Sequence, residues 1–311
     1  MRLLALGLLA LVGAGPRSAW NLRDHLPVED VVVQSHRGAG ALSAENTPEA
    51  FEIAWKLGAV PEADLRTSRD GVIVAFHDGD FQRMLPDAPP ERRRQGVADL
   101  SWDELRQLDV GAWKGAEFAG QRIARLADVF ETLARHPQRR LYVDFKDVDL
   151  EQLARESKEV HRQLILASTK YDLIRRWKRL APESATLHWM GGSEAELAAR
   201  LDALERSKFA DVTQLQIHVR TAADGTISPS PEFLLAAGER LRRHGVVFQA
   251  FAWDRQDPEI HWQLMDLGVA SFATDHPDVV LQAIRDYYAQ GEASGAGNAD
   301  ARDGKDAADP R

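Results

Sequence analysis

Two acids one residue apart interrupt an apolar run in "VPEADLR", and a third precedes a lysine in "LYVDFK". Side chains of an extended strand alternate faces, so Glu62 and Asp64 point one way and Ala63 the other. By the same rule Asp144 and Lys146 share a face opposite Val143 and Phe145. Carboxylates gathered away from water repel one another and are costly to desolvate unless a cation sits among them. Glu62, Asp64 and Asp144 therefore describe an all-oxygen site for one hard divalent cation, Mg2+ or Ca2+. His36 follows the apolar run "VVVQS" and His77 follows "VIVAF". Imidazoles at strand ends beside such a cation suit general acid and general base work near neutral pH. Arg37 and Lys146 add cationic donors for an oxyanion. Together these groups point to phosphoryl chemistry. Each alone is ordinary, since a lone E-x-D is commonly a surface ion pair and a lone strand-end histidine commonly a packing residue. The weight lies in their coincidence at consecutive strand ends.

The elements that must position them follow a regular order. Strand candidates fall at 31–35, 60–66, 72–76, 141–146, 164–168, 185–190, 212–219, 246–253 and 270–275, with helical segments between most of them. Thr47 with Pro48 in the first turn, and Ser101 with Glu104 three residues on, are helix starts. About eight strand–helix units over a domain spanning residues 28–290 predict an α/β fold, a single (β/α)8 TIM barrel. The helix-facing side of such a barrel is apolar, which sends the charged strand face to the interior and its mouth. The proline- and glycine-punctuated stretch from Arg83 to Leu126 is too long for a βα loop. It predicts a small insertion after the second strand region, about residues 83–122, rather than a second domain.

Composition narrows the classes. The 311 residues include no cysteine, carry a formal net charge of −9 and are 44% hydrophobic. A disulfide framework, a thiolate zinc site and a thiol nucleophile are excluded. The acidic balance, with no long basic run, argues against nucleic acid, and nothing signals an obligate protein partner. The opening "MRLLALGLLALVGAGPRSAW" resembles a secretory signal peptide, so residues 1–20 are expected to be a leader or a short uncleaved anchor. The expected location is secreted or periplasmic, with membrane contact only through an uncleaved leader. Residues 291–311 hold no large apolar side chain and are expected to form a disordered tail.

The segment "HRGAGALSAENTPEAFEIAWKLGAVPEADLRTSRDGVIVAFHD", His36 to Asp78, resembles the signature of the glycerophosphodiester phosphodiesterase family: H-R-G, E-N-T, A-F, G-A, E-x-D, the aspartate-glycine turn and H-D. "DFK" and "FATDHP" extend the likeness over about residues 30–285. The resemblance implies a metal-dependent TIM-barrel hydrolase that converts glycerophosphodiesters to sn-glycerol 3-phosphate and an alcohol. It gives Glu62, Asp64 and Asp144 to the cation, His36 and His77 to acid–base catalysis through a cyclic phosphate, and Arg37 and Lys146 to phosphate contact. Glu45 is a further candidate for the site, and Trp253 a candidate wall of the substrate pocket. Asp144 stands where most members place a glutamate, and Ala44 where they place a proline.

Two other functions compete. A phospholipase D-type enzyme acting on lysophospholipid or sphingomyelin would need an apolar rim, for which Leu42, Phe81, Met84 and Leu85 are candidates. A catalytically silent barrel serving as a binding module would be expected to have lost a metal ligand or a histidine. His188, Gln214, Gln216 and His218 read as packing or hydrogen-bonded core residues, and Asp275 as the cap of the helix that follows it.

Overall fold

The structure, a computed structural model, describes residues 20–222, 225–252 and 255–299, with the backbone alone over 291–299. The expected leader up to residue 19, Trp253 and residues 300–311 lie outside the described residues.

Eleven strands are present among the described residues: β1 (Val32–Ser35), β2 (Val60–Thr67), β3 (Ile73–Ala75), β4 (Leu141–Asp147), β5 (Leu164–Ser168), β6 (Ala185–Met190), β7 (Gln214–His218), β8 (Arg220–Thr221), β9 (Ile227–Ser228), β10 (Val247–Phe251) and β11 (Ser271–Thr274). Eight of them run parallel in the order β1-β11-β10-β7-β6-β5-β4-β2, and β1 also pairs with β2, which closes the barrel. The helices behind these staves are α1 (Pro48–Leu57), α4 (Leu126–Arg135), α5 (Leu150–Glu156), α6 (Tyr171–Leu180), α7 (Glu194–Arg206), α8 (Pro231–Arg243), α9 (Pro258–Asp266) and α10 (Pro277–Ala299), while α2 (Pro90–Arg93) and α3 (Trp102–Leu105) belong to the insertion. Thr47 caps α1 by accepting from the Ala50 N–H, and Ser101 and Glu104 form the reciprocal cap of α3.

One sequence expectation changes. The 72–76 candidate is β3, which pairs antiparallel with β2 and is not a stave. A tight turn centred on Arg69 and Asp70, closed by the Gly71 N–H donating to the Ser68 carbonyl at 3.0 Å, returns the chain along β2, and the Phe76 N–H donates to the Asp64 carbonyl at 2.7 Å. This return is what places His77 beside the acids. Of the stretch 291–311, the described backbone over 291–299 continues α10 as helix.

Strand alternation divides the core. Leu65, Val143, Leu166, Leu215, Phe248 and Phe272 face the helices and are fully buried. The interior floor is polar and hydrogen-bonded. Tyr142 donates to Gln214 at 2.7 Å, and Gln249 donates to Tyr142 at 3.2 Å and to Ser271 at 2.9 Å. Burial pushes the Tyr142 phenol up to about 12, so it stays a neutral donor. A satisfied network of this kind fixes the floor under the mouth. The insertion builds its own small core from Phe76, Phe81, Met84, Val97, Leu100, Leu105 and Val110.

Candidate active site

His36, Arg37, Glu45, Glu62, His77, Asp144 and Lys146 converge on the C-terminal mouth of the barrel. A cavity of about 150 Å³ is lined by Gln34, His36, Arg37, Glu62, His77, Asp144 and Lys146 on its polar side, and by Trp189 and Phe251 on its aromatic side. Asp64 lies fully buried just beneath.

The three acids come from neighbouring staves whose register sets Asp64 beside Asp144. One ligand oxygen from each of Glu62, Asp64 and Asp144 lies within 4.8 Å of the others. Desolvation and the adjacent Asp64 and Asp144 raise the Glu62 carboxyl from 4.5 to about 7. Burial likewise holds the Asp144 carboxyl above its usual range against the pull of Lys146. For Asp64 burial is outweighed by Lys146, His77 and the Asn46 amide, and its carboxyl is held low. The Lys146 ammonium sits 2.5 Å from Asp144 Oδ2 and 3.1 Å from Asp64 Oδ1, yet Asp64 Oδ1 receives no hydrogen bond. Three buried carboxylates, one lysine and an orphaned carboxylate oxygen fit a hard divalent cation.

Both histidines are oriented by carboxylates. His36 Nδ1 lies 2.7 Å from Asp275 Oδ1, and His77 Nδ1 lies 2.7 Å from Asp78 Oδ1. Each Nδ1 is thereby occupied, which leaves Nε2 as the nitrogen able to exchange a proton with substrate. Burial lowers the proton affinity of His36, but the Asp275 hydrogen bond and the charge of Glu62 outweigh it and raise its pKa. Asp275 was expected to cap α10. Its carboxylate instead crosses from the end of β11 to the neighbouring end of β1.

The loop after β1 has a special backbone. Arg37 adopts φ 52° and Asn46 φ 58°, a conformation that costs a non-glycine residue strain and persists only where its surroundings hold it. Gly40 approaches the Asp275 carbonyl so closely that a Cβ would lie 2.1 Å from that oxygen. Asn46 explains the strain it carries: its side chain donates to Asp64 Oδ2 at 2.8 Å and accepts from the Asp64 N–H at 3.0 Å. Arg37 pairs with Glu45 at 3.2 Å, and its buried Nε makes no hydrogen bond. Glu45 therefore faces Arg37 and Arg83 rather than the acids.

The aromatic wall was not legible from spacing. Trp189 stacks on His218 with ring centroids 5.1 Å apart and planes 6° apart, and Phe251 meets His36 edge-on at 5.1 Å. Burial lowers His218 to about 4, so it is neutral in the wall. His188 turns to the helix layer and bonds the Ser168 carbonyl at 3.1 Å. Of the four rim candidates, Phe81 and Met84 are buried in the insertion core with Leu85 packed against it, and Leu42 is exposed.

Comparisons with known proteins agree with this geometry. A model described as "Glycerophosphoryl diester phosphodiesterase family" matches residues 36–279. The chain is 27% identical over 267 residues to a glycerophosphodiester phosphodiesterase of Caldanaerobacter subterraneus, covering 82% of this chain and 98% of that one. It is 26% identical over 258 residues to a putative glycerophosphodiester phosphodiesterase of Bacillus subtilis, covering 80% and 96%. An Oleispira antarctica phosphodiesterase solved with the product sn-glycerol-3-phosphate shares the fold at a TM-score of 0.63 and 24% identity, covering 85% of this chain and 99% of that one. The family match starts on the histidine that follows the first stave and finishes inside the helix after the last, enclosing every lining residue named above except Gln34, and the chain belongs to the glycerophosphoryl diester phosphodiesterase family.

Proposed function

We propose that this protein hydrolyses small glycerophosphodiesters to sn-glycerol 3-phosphate and an alcohol, using one divalent cation and the His36/His77 pair. The observation that carries the reading is the pairing of two carboxylate-oriented histidines with a three-carboxylate cluster in one cavity. The family match supports the reaction class. Glu62, Asp64 and Asp144 hold the cation, which supplies charge neutralisation at the phosphate. Arg37, with a spare buried donor, and Lys146 bind the remaining phosphate oxygens. One histidine Nε2 takes the proton from the glycerol 2-hydroxyl as that oxygen attacks phosphorus, and the other protonates the departing alcohol oxygen. Water then opens the cyclic phosphate with the two roles exchanged. The protein contributes chiefly in-line positioning and charge compensation. The apolar opening residues support a secreted or periplasmic setting for this reaction.

The test is release of sn-glycerol 3-phosphate from glycerophosphocholine and glycerophosphoethanolamine with Mg2+, Ca2+ or a chelator. Chelator-sensitive release is expected. Choline release from lysophosphatidylcholine or sphingomyelin alone would replace this reading with a phospholipase D-type one, and no turnover of any substrate would favour a silent barrel.

Asp275 gives a second expectation. Asp275→Asn keeps the shape but removes the charge that stabilises a protonated His36, so kcat should fall by about 10²-fold or more, within the range general acid–base catalysis supplies. The pH profile carries the sign. A partner that raises a histidine pKa favours the protonated form, so its loss should shift the His36-dependent limb to lower pH. An unshifted profile with wild-type kcat would remove Asp275 from the mechanism.

A further inference from the structure

Arg83 opens the insertion, well outside the H-R-G, E-x-D and H-D motifs, yet its guanidinium lies between two parts of the site. Nη1 and Nη2 fork onto Glu45 at 2.7 and 2.8 Å, and Nε donates to Asp78 Oδ2 at 2.8 Å. Asp78 uses its other oxygen for His77 Nδ1, and Glu45, only 8% exposed, also receives Arg37 Nη1. The result is a continuous chain, His77–Asp78–Arg83–Glu45–Arg37, in which each charge is flanked by opposite charges. Trp113, also from the insertion, packs against the Arg83 guanidinium at 4.9 Å. Burial pushes the Asp78 carboxyl up, but Arg83 and His77 outweigh it and hold it at about 2.

We propose that Arg83 is a positioning residue that sets the His77 ring and the Arg37 guanidinium together. A planar fork with a third donor is needed to reach both carboxylates in fixed geometry, which a lysine does not offer. The insertion thus acts on chemistry without touching substrate. Arg37 already occupies a strained conformation at φ 52°, and its one ion-pair partner among the described residues is the carboxylate that Arg83 holds. Releasing Glu45 frees Arg37 to relax, and releasing Asp78 frees the ring of His77.

The inference rests on the proposed hydrolase activity, so the experiment includes a readout that needs no turnover. Arg83→Met, Arg83→Lys and Arg83→Met/Glu45→Gln are compared with the wild type by steady-state hydrolysis of glycerophosphocholine and by NMR of the His77 ring. For Arg83→Met the expected kcat is lower by about 10²-fold, the loss associated with a misplacement of about 1 Å, with KM changed by less than about threefold. The His77 Nδ1 proton signal should be lost to exchange. Arg83→Lys should recover part of kcat. The double variant removes the buried charge that Arg83→Met strands, so it should fold normally and be no slower than Arg83→Met, because residues of one network are not additive. Wild-type kcat with an unchanged His77 signal, or additive losses in the double variant, would overturn the proposal. A wild type silent on the diester whose His77 signal still depends on Arg83 would count against the hydrolase reading and for the positioning role.

Discussion

His36→Ala and His77→Ala are each expected to reduce kcat on glycerophosphocholine by about 10³-fold, within the range that general acid–base catalysis contributes. Neither ring is among the three carboxylates that fit a cation. Titration calorimetry with Mg2+ or Ca2+ should therefore give near wild-type affinity in both variants. The two losses should not multiply, because the proposed mechanism needs one proton removed and one delivered in the same step, and the double variant should fall little below either single one. Near wild-type kcat in either histidine variant would sink the acid–base assignment. Weakened cation binding in His77→Ala would instead make that ring a ligand.

Glu62→Gln should have the opposite thermal signature from an ordinary core substitution. With its folded pKa raised to about 7 from 4.5, this carboxyl keeps a proton in the metal-free folded state that the unfolded chain releases. Its contribution therefore favours folding at low pH and is lost as pH rises from about 4.5 towards 7. By pH 8 the cost is on the order of 3 kcal/mol. The metal-free Glu62→Gln protein should consequently melt higher than the metal-free wild type at pH 8, and the difference should vanish near pH 4. Adding the cation should reverse the order, since only the wild type gains binding energy from it. Activity should be lost. A Glu62→Gln protein that melts lower at pH 8 without metal would show that the three acids are not in mutual conflict.

Much of this site could be read before any coordinates because strand periodicity is strict. Putting Glu62 and Asp64 on one face of β2, and Asp144 and Lys146 on one face of β4, required only alternation and an apolar opposite face. The candidates 164–168 and 185–190 coincide with β5 and β6, since buried parallel staves are short apolar runs with abrupt ends. β3 was placed in sequence but not in direction, because a three-residue apolar run carries no sign of whether it continues the barrel or folds back. Asp275 and Arg83 meet partners, His36 and Glu45, that only tertiary register brings to them. An acid before a proline reads locally as a helix cap, and only closure of the barrel reveals that its neighbour is a histidine.

That closure has a consequence for when the protein can work. Asp275 lies 239 residues after His36, and β1 meets β11 along all four of its residues but β2 along only two. During synthesis the acids and both histidines leave the ribosome long before β11 exists, so β1 waits with one edge bare. Contacts this distant form late, after the intervening loop has been closed. Until the final stave docks, His36 has no carboxylate behind it and the mouth has a gap on that side. The growing chain therefore lacks the His36–Asp275 pair until the last strand closes the ring.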